Sequence, residues 1–131
     1  RLGDNFLEGS GDSTRTNETR LPASQIGASA KASLFQAVAR QLRPHWRPVD
    51  GADREKLVSK IRFRLNPDGT LAGAPSLVGQ RGETEANRAQ APRHAENAIR
   101  AVQLAAPFDL PPEYYEAWKT VTVDFDWNLS R

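Results

Sequence analysis

The spacing of apolar positions changes period along the chain, and each change predicts an element. Leu34, Phe35, Val38 and Leu42 recur at intervals of three and four behind Ser29 or Ser33 as a cap, which predicts a helix with its apolar stripe turned inward. Pro44 and Pro48 bracket His45, Trp46 and Arg47, so regular helix is expected to end near Arg43 or to continue only with a kink, with Trp46 plugging the edge of the core. From Leu57 to Leu65 the period is two. Leu57, Ser59, Ile61, Phe63 and Leu65 alternate with Val58, Lys60, Arg62 and Arg64, as in a strand with one buried and one solvated face. Asn66, Pro67, Asp68 and Gly69 then give a dense turn signal. A weaker strand from Leu71 to Val78, interrupted by Gly73 and Pro75, completes a hairpin.

Thr84 is placed to cap a helical segment running to about Ala105, with Ala91, Ala95, Ala98, Ile99, Val102 and Ala106 as its apolar face. Pro92 either kinks that segment or opens a second helix, and both arrangements fit the pattern. Pro107, Pro111 and Pro112 hold Phe108 and Leu110 in an extended stretch, and Pro112 can begin a short helix over Glu113 to Trp118. The last strand is the clearest: from Thr120 to Trp127, Val121, Val123, Phe125 and Trp127 alternate with Thr120, Thr122, Asp124 and Asp126.

These elements predict an α+β fold, a three-stranded antiparallel sheet with helices packed on one face. Lys60, Arg62 and Arg64 on the solvated face of the first strand complement Asp124 and Asp126 on the last, so the first strand is expected between the other two. Two edges then remain. The second strand is interrupted by Gly73 and Pro75, as protected edges are, whereas Lys119 to Trp127 contains neither Pro nor Gly and offers unpaired backbone groups to an extended peptide. Two readings of that last edge stay open: a docking site over Thr120, Val121, Thr122, Val123, Asp124 and Phe125, or an edge covered by the N-terminal stretch or defended by Asp124 and Asp126. Tyr114, Tyr115 and Trp118 form an aromatic group beside it, read either as closure of the core or as the lining of an adjacent groove.

Residues 1–30 are rich in Gly, Ser, Thr, Asn and Asp and lack a sustained period. They read as a flexible linker or tail, with Phe6, Leu7, Leu21 and Ile26 as the positions able to dock, ahead of one domain over residues 31–131. A chain of 131 residues, 38% hydrophobic and 26% charged, has room for one modest core but not for a large buried active-site cavity. Its formal charge of +2 argues against nucleic acid as the main partner. With no Cys, disulfides, thiolate metal sites and a Cys nucleophile are excluded. No stretch is apolar enough for a membrane span, and a sequence starting at Arg1 without any Met reads as part of a longer or processed product whose anchor lies elsewhere.

Catalytic chemistry finds little support. His45 and His94 are isolated in sequence from any spacing that suggests a ligand set or a triad, and both read as solvated or half-buried residues. Asp50, Asp53 and Glu55 read as a solvated turn, and Glu83 and Glu85 as an acidic helix start. No catalytic, cofactor-binding or metal residue is assigned. Arg81, Arg88, Arg93 and Arg100, with Trp46 or Tyr115 as stacking partners, allow a small RNA-binding domain, but Glu83, Glu85 and Glu96 interleave with them as on a solvated helix face.

Several local motifs resemble the TolA/TonB C-terminal domain family, and its TolA branch in particular. They are LFQAVARQLRPHW (Leu34 to Trp46), KIRFRLNPDGTLAGAPSLV (Lys60 to Val78), AIRAVQLAAPFDLPPEYYEAW (Ala98 to Trp118) and VTVDFDW (Val121 to Trp127). The resemblance implies a periplasmic protein-binding module of the Tol-Pal system, carried by a protein anchored in the bacterial inner membrane. Such domains bind the N-terminal segment of a TolB-like periplasmic protein and couple inner-membrane motor proteins to outer-membrane integrity and cell division, and phage and colicin proteins exploit related ones. The TonB branch implies instead an energy transducer that reads outer-membrane receptor peptides. Neither role requires a cofactor or catalysis.

Overall fold

The computed structural model describes residues 21–131. The expected α+β arrangement is present: helix α1 (Ala28–Leu42), strands β1 (Val58–Arg64) and β2 (Ser76–Arg81), helix α2 (Ala91–Ala105), the short helix α3 (Tyr115–Trp118) and strand β3 (Thr120–Phe125). The strands form one antiparallel sheet in the order β2-β1-β3, with the first strand in the centre.

The tail reading fails at its C-terminal end. Ile26 is buried, the Leu21 amide donates to Glu113 O and Ala28 to Ala30 already belong to α1, so the ordered domain begins before residue 31; the part of that reading before residue 21, including Phe6 and Leu7, lies outside the described residues. Gly27, not Ser29 or Ser33, occupies the cap position of α1, and its carbonyl accepts from the Lys31 amide. The helix stops at Leu42 because Pro44 follows, and the chain tightens into a 3₁₀ turn, Arg43–His45. Leu34, Val38 and Leu42 face the core as expected, but Phe35 does not and is 48% exposed. Residues 34, 38 and 42 are each four apart and make a narrow seam. Phe35 lies about 100° round the helix from Leu34.

On β1 the alternation is realised in full: Ser59, Ile61 and Phe63 are buried, while Arg62 and Arg64 are exposed. β2 is displaced from the sequence expectation. It starts at Ser76, after Gly73 and Pro75, and Leu71 makes only an isolated bridge to Leu65. Asn66 to Thr70 close a tight turn: the Gly69 amide donates to Asn66 O, and Asp68 accepts from both the amide and the hydroxyl of Thr70. Gly69 has φ of +88°, and a Cβ there would run into the Phe108 carbonyl. The turn therefore packs on the proline-rich stretch, and the ladder that leaves it at Leu71 lapses at Gly73 and Pro75 before β2 begins. Edge protection on this side comes from a register break between Lys60 and Ile61, where Val78 is unmatched beside Gly79.

Thr84 does not cap α2. Its amide donates to Asn87 Oδ1 while its hydroxyl accepts from the Asn87 amide, closing a turn ahead of the helix, and α2 opens at Ala91 with Pro92 in its first turn. Asn87 is fully buried and also donates to Asp53 O and Gly82 O, joining the β2–α2 connection to the loop before β1. The buried face of α2 is Ala91, His94, Ala95, Ala98, Ala101 and Val102, and its four alanines let the helix lie close to the sheet. Against it pack Leu34, Val38, Leu42, Trp46, Ile61, Phe63, Phe108, Trp118, Val123 and Phe125 in one core. Trp46 closes that core as expected, with its indole N–H donating to Asp126 O.

β3 ends at Phe125, two residues short of the expected limit. Asp126 leaves the ladder, and its carboxylate accepts from the Leu129 amide in a C-terminal 3₁₀ turn, Asn128–Ser130. Trp127 is half-buried, with the Arg54 guanidinium 4.6 Å from its ring centroid.

Candidate peptide-docking edge

Among the described residues β3 is held on one side only. Its partners on β1 run from Ser59↔Phe125 to Arg64↔Thr120, and the next pair, Leu65 with Lys119, is joined by a 2.8 Å bond from the Leu65 amide to Lys119 O. In an antiparallel ladder such bonded positions recur every second residue, so Val121, Val123 and Phe125 turn their backbone groups toward β1. Thr120, Thr122 and Asp124 consequently turn theirs away. Among the described residues no strand lies on that outer side.

A groove of about 200 Å³ runs along this edge. Lys31, Leu34, Phe35 and Val38 of α1 form one wall, and Ala117 with Thr120, Val121 and Thr122 forms the other. It is a predominantly apolar channel open to solvent, bordered by backbone donors and acceptors. The exposed ring of Phe35, out of place as a core residue, becomes intelligible as part of this wall. Sequence periodicity pointed to the strand but missed the α1 wall. The available signal was Phe35 itself, an apolar residue outside the four-residue seam.

The aromatic group divides between the core and a neighbouring recess. Trp118 is 2% exposed, donates its indole N–H to Pro111 O and stacks edge-on to Tyr115 at 4.8 Å, so it closes the core beneath the edge rather than lining a groove. The Tyr115 hydroxyl donates to Leu65 O. Its ring borders a second recess of about 220 Å³ with Arg64, Leu65, Asn66, Ala72, Lys119 and Thr120, next to the start of β3. Tyr114 is half-buried against the core.

The face of the sheet opposite the helices is cationic. Lys60, Arg62 and Arg64 of β1 lie there with Arg81 of β2, and Asp124 is the carboxylate among them. Asp124 is the register partner of Lys60, and its Oδ2 is 3.5 Å from Arg81 Nη2. The Arg62 Nε reaches from β1 to the Thr122 hydroxyl on β3 at 3.4 Å.

His94 is neither solvated nor half-buried. It is 1% exposed, and its Nδ1 lies 2.7 Å from the hydroxyl of fully buried Ser59. Gln80 donates to Ser59 Oγ and to Ala91 O, which leaves the serine proton to satisfy Nδ1 of a neutral imidazole. Burial lowers the His94 pKa to about 4, against a weaker opposing pull from Asp126. The pair is sealed between α2 and the sheet, out of reach of a substrate. Long-range pairing of Ser59 with His94 was invisible in sequence spacing because the two are 35 residues apart.

Asp50 pairs with Arg54, and Asp53 lies 3.7 Å from Lys56 and accepts from the Thr84 hydroxyl. Arg88 pairs with Glu83, and Arg93 with Glu96. Arg100 lines a cleft with His45, Arg47, Asn97 and Leu104. Among the described residues no three His, Asp or Glu side chains converge as a metal site, and no helix is long and apolar enough to cross a membrane. No protein-family model matches the chain, and no curated protein matches it.

Proposed function

We propose that this chain is a peptide-binding domain that receives an extended segment of a partner protein along the outer edge of β3. The observation that carries this reading is the coincidence of two features on one line. Outward backbone groups of Thr120 and Thr122 border an apolar groove walled by Phe35, Leu34 and Val38. Backbone groups supply affinity in strand addition, while pockets for alternate side chains supply selectivity. A binding role rather than catalysis is further supported by the sealing of the Ser59–His94 pair within the core.

The resemblance to the TolA/TonB C-terminal domain family supplies the biological setting. In the proposed role the domain works in the periplasm as part of a TolA-like envelope protein and takes the N-terminal segment of a TolB-like protein. It thereby couples inner-membrane energy to the outer membrane. Titrating the ¹⁵N-labelled domain with a TolB-type N-terminal peptide should shift the amides of Thr120 to Phe125 together with those of Lys31 and Phe35. A receptor-box peptide of the TonB type should leave them in place. The reverse preference would move the domain to a TonB-like role, and unchanged edge amides with both peptides would sink the docking idea.

A further inference from the structure

A strand added beside β3 presents successive side chains to opposite faces of the sheet, and on this domain those two faces differ in kind. Toward the helices lies the apolar groove of Leu34, Phe35, Val38 and Val121. Toward the open face stand Arg62 and Arg64, with no carboxylate partner for either among the described residues. Arg62 and Arg64 belong to the central strand, yet only the short side chains of Thr122 and Thr120 separate them from the outer edge. Arg62 already leans onto β3, since its Nε donates to the Thr122 hydroxyl. Neighbouring strands are about 4.8 Å apart, so a guanidinium lying over β3 is within reach of a side chain on the next strand out. The sign reverses only at Asp124, which is occupied by Arg81.

From this we infer that the preferred partner segment is an extended peptide in which apolar residues alternate with acidic ones. Its apolar side chains enter the α1–β3 groove, and its carboxylates lie over Thr120 and Thr122, where Arg62 and Arg64 meet them. The inference rests on the reading of β3 as a docking edge and adds the chemistry of the occupant. The threonines are essential to the arrangement, because larger side chains at residues 120 and 122 would fence the arginines off from the edge. Opposite charges on adjacent strands attract and like charges repel, so both the correct and the incorrect partner are discriminated.

The test uses three fluorescein-labelled heptapeptides that alternate Ile with Glu, Ser or Lys, each flanked by Gly-Ser, with anisotropy giving affinity and amide shifts giving location. The Glu peptide should bind about tenfold or more tighter than the Lys peptide, with the Ser peptide between them. Arg62→Gln should shrink that ratio, and Arg62→Glu should invert it. Both act at an exposed side chain, and wild-type-like amide spectra away from the site verify folding. If all three peptides bind equally and shift Thr120 to Phe125, the charge inference is overturned while edge docking stands. If none shifts those amides, edge docking itself fails and the inference falls with it. A ratio unchanged by Arg62→Glu also overturns the inference.

Discussion

Single side chains show where periodicity is informative and where it misleads. Leu34, Val38 and Leu42 were legible as core because they repeat on one face, whereas Phe35 satisfies the same hydrophobic count from a position about 100° away and ends up in solvent. His94 was illegible for a different reason. Its partner Ser59 lies on β1, and only packing of α2 on the sheet brings them together. That burial makes a pH prediction. The unfolded imidazole titrates near 6.5 and the folded one near 4, so between these values the unfolded chain binds more protons and stability falls as pH falls. The loss should be on the order of 3 kcal/mol once the pH has dropped through the whole window. Urea midpoints at pH 7 and 4.5 for wild type and His94→Gln provide the check. The wild type should lose more stability than the variant over that interval, and parallel losses would show that His94 is not buried in its neutral form.

At the scale of elements, strands with strict alternation were read well and those defined by their neighbours were not. β1 and β3 each carry their own two-residue period, so both their existence and their pairing followed from sequence. β2 is short and weakly patterned, and the interruption at Gly73 (φ +103°) and Pro75 separates it from the Leu65–Leu71 bridge, so the strand starts only at Ser76. The end of β3 likewise depended on Asp126 finding the Leu129 amide. The directional backbone of β3 can be separated from its side chains by proline. Thr122 turns its N–H outward and Val123 turns its N–H to β1, so Thr122→Pro should keep the domain folded while weakening peptide binding about tenfold or more. Val123→Pro should instead cost about 3 kcal/mol or more of stability. Thermal melts and anisotropy on the two variants distinguish these outcomes, and equal destabilisation by both would mean that the outward assignment of Thr122 is wrong.

For the molecule as a whole, the candidate site is assembled from elements far apart in sequence. α1 lies near the start of the described chain and β3 near its end, and the groove exists only where they meet. Sequence reasoning found the strand because an edge is a property of one element. It missed the α1 wall and left Trp118 between core closure and the lining of an adjacent groove, because a groove is a property of two. The net charge of +2 was equally uninformative about the site. It averages over many paired charges and hides the cluster of Lys60, Arg62, Arg64 and Arg81 on one sheet face.

The central claim is that the outer backbone of β3 is available and becomes paired when a peptide arrives, and amide hydrogen exchange read residue by residue tests it most directly. In the free domain Val121 and Val123 should exchange slowly, held by β1, while Thr122 and Asp124 exchange readily. On saturation with the TolB-type peptide Thr122 and Asp124 should slow by about tenfold or more, with Val121 and Val123 little changed. Equal protection of all four amides in the free domain, or no added protection at Thr122 and Asp124 with peptide bound, would contradict it.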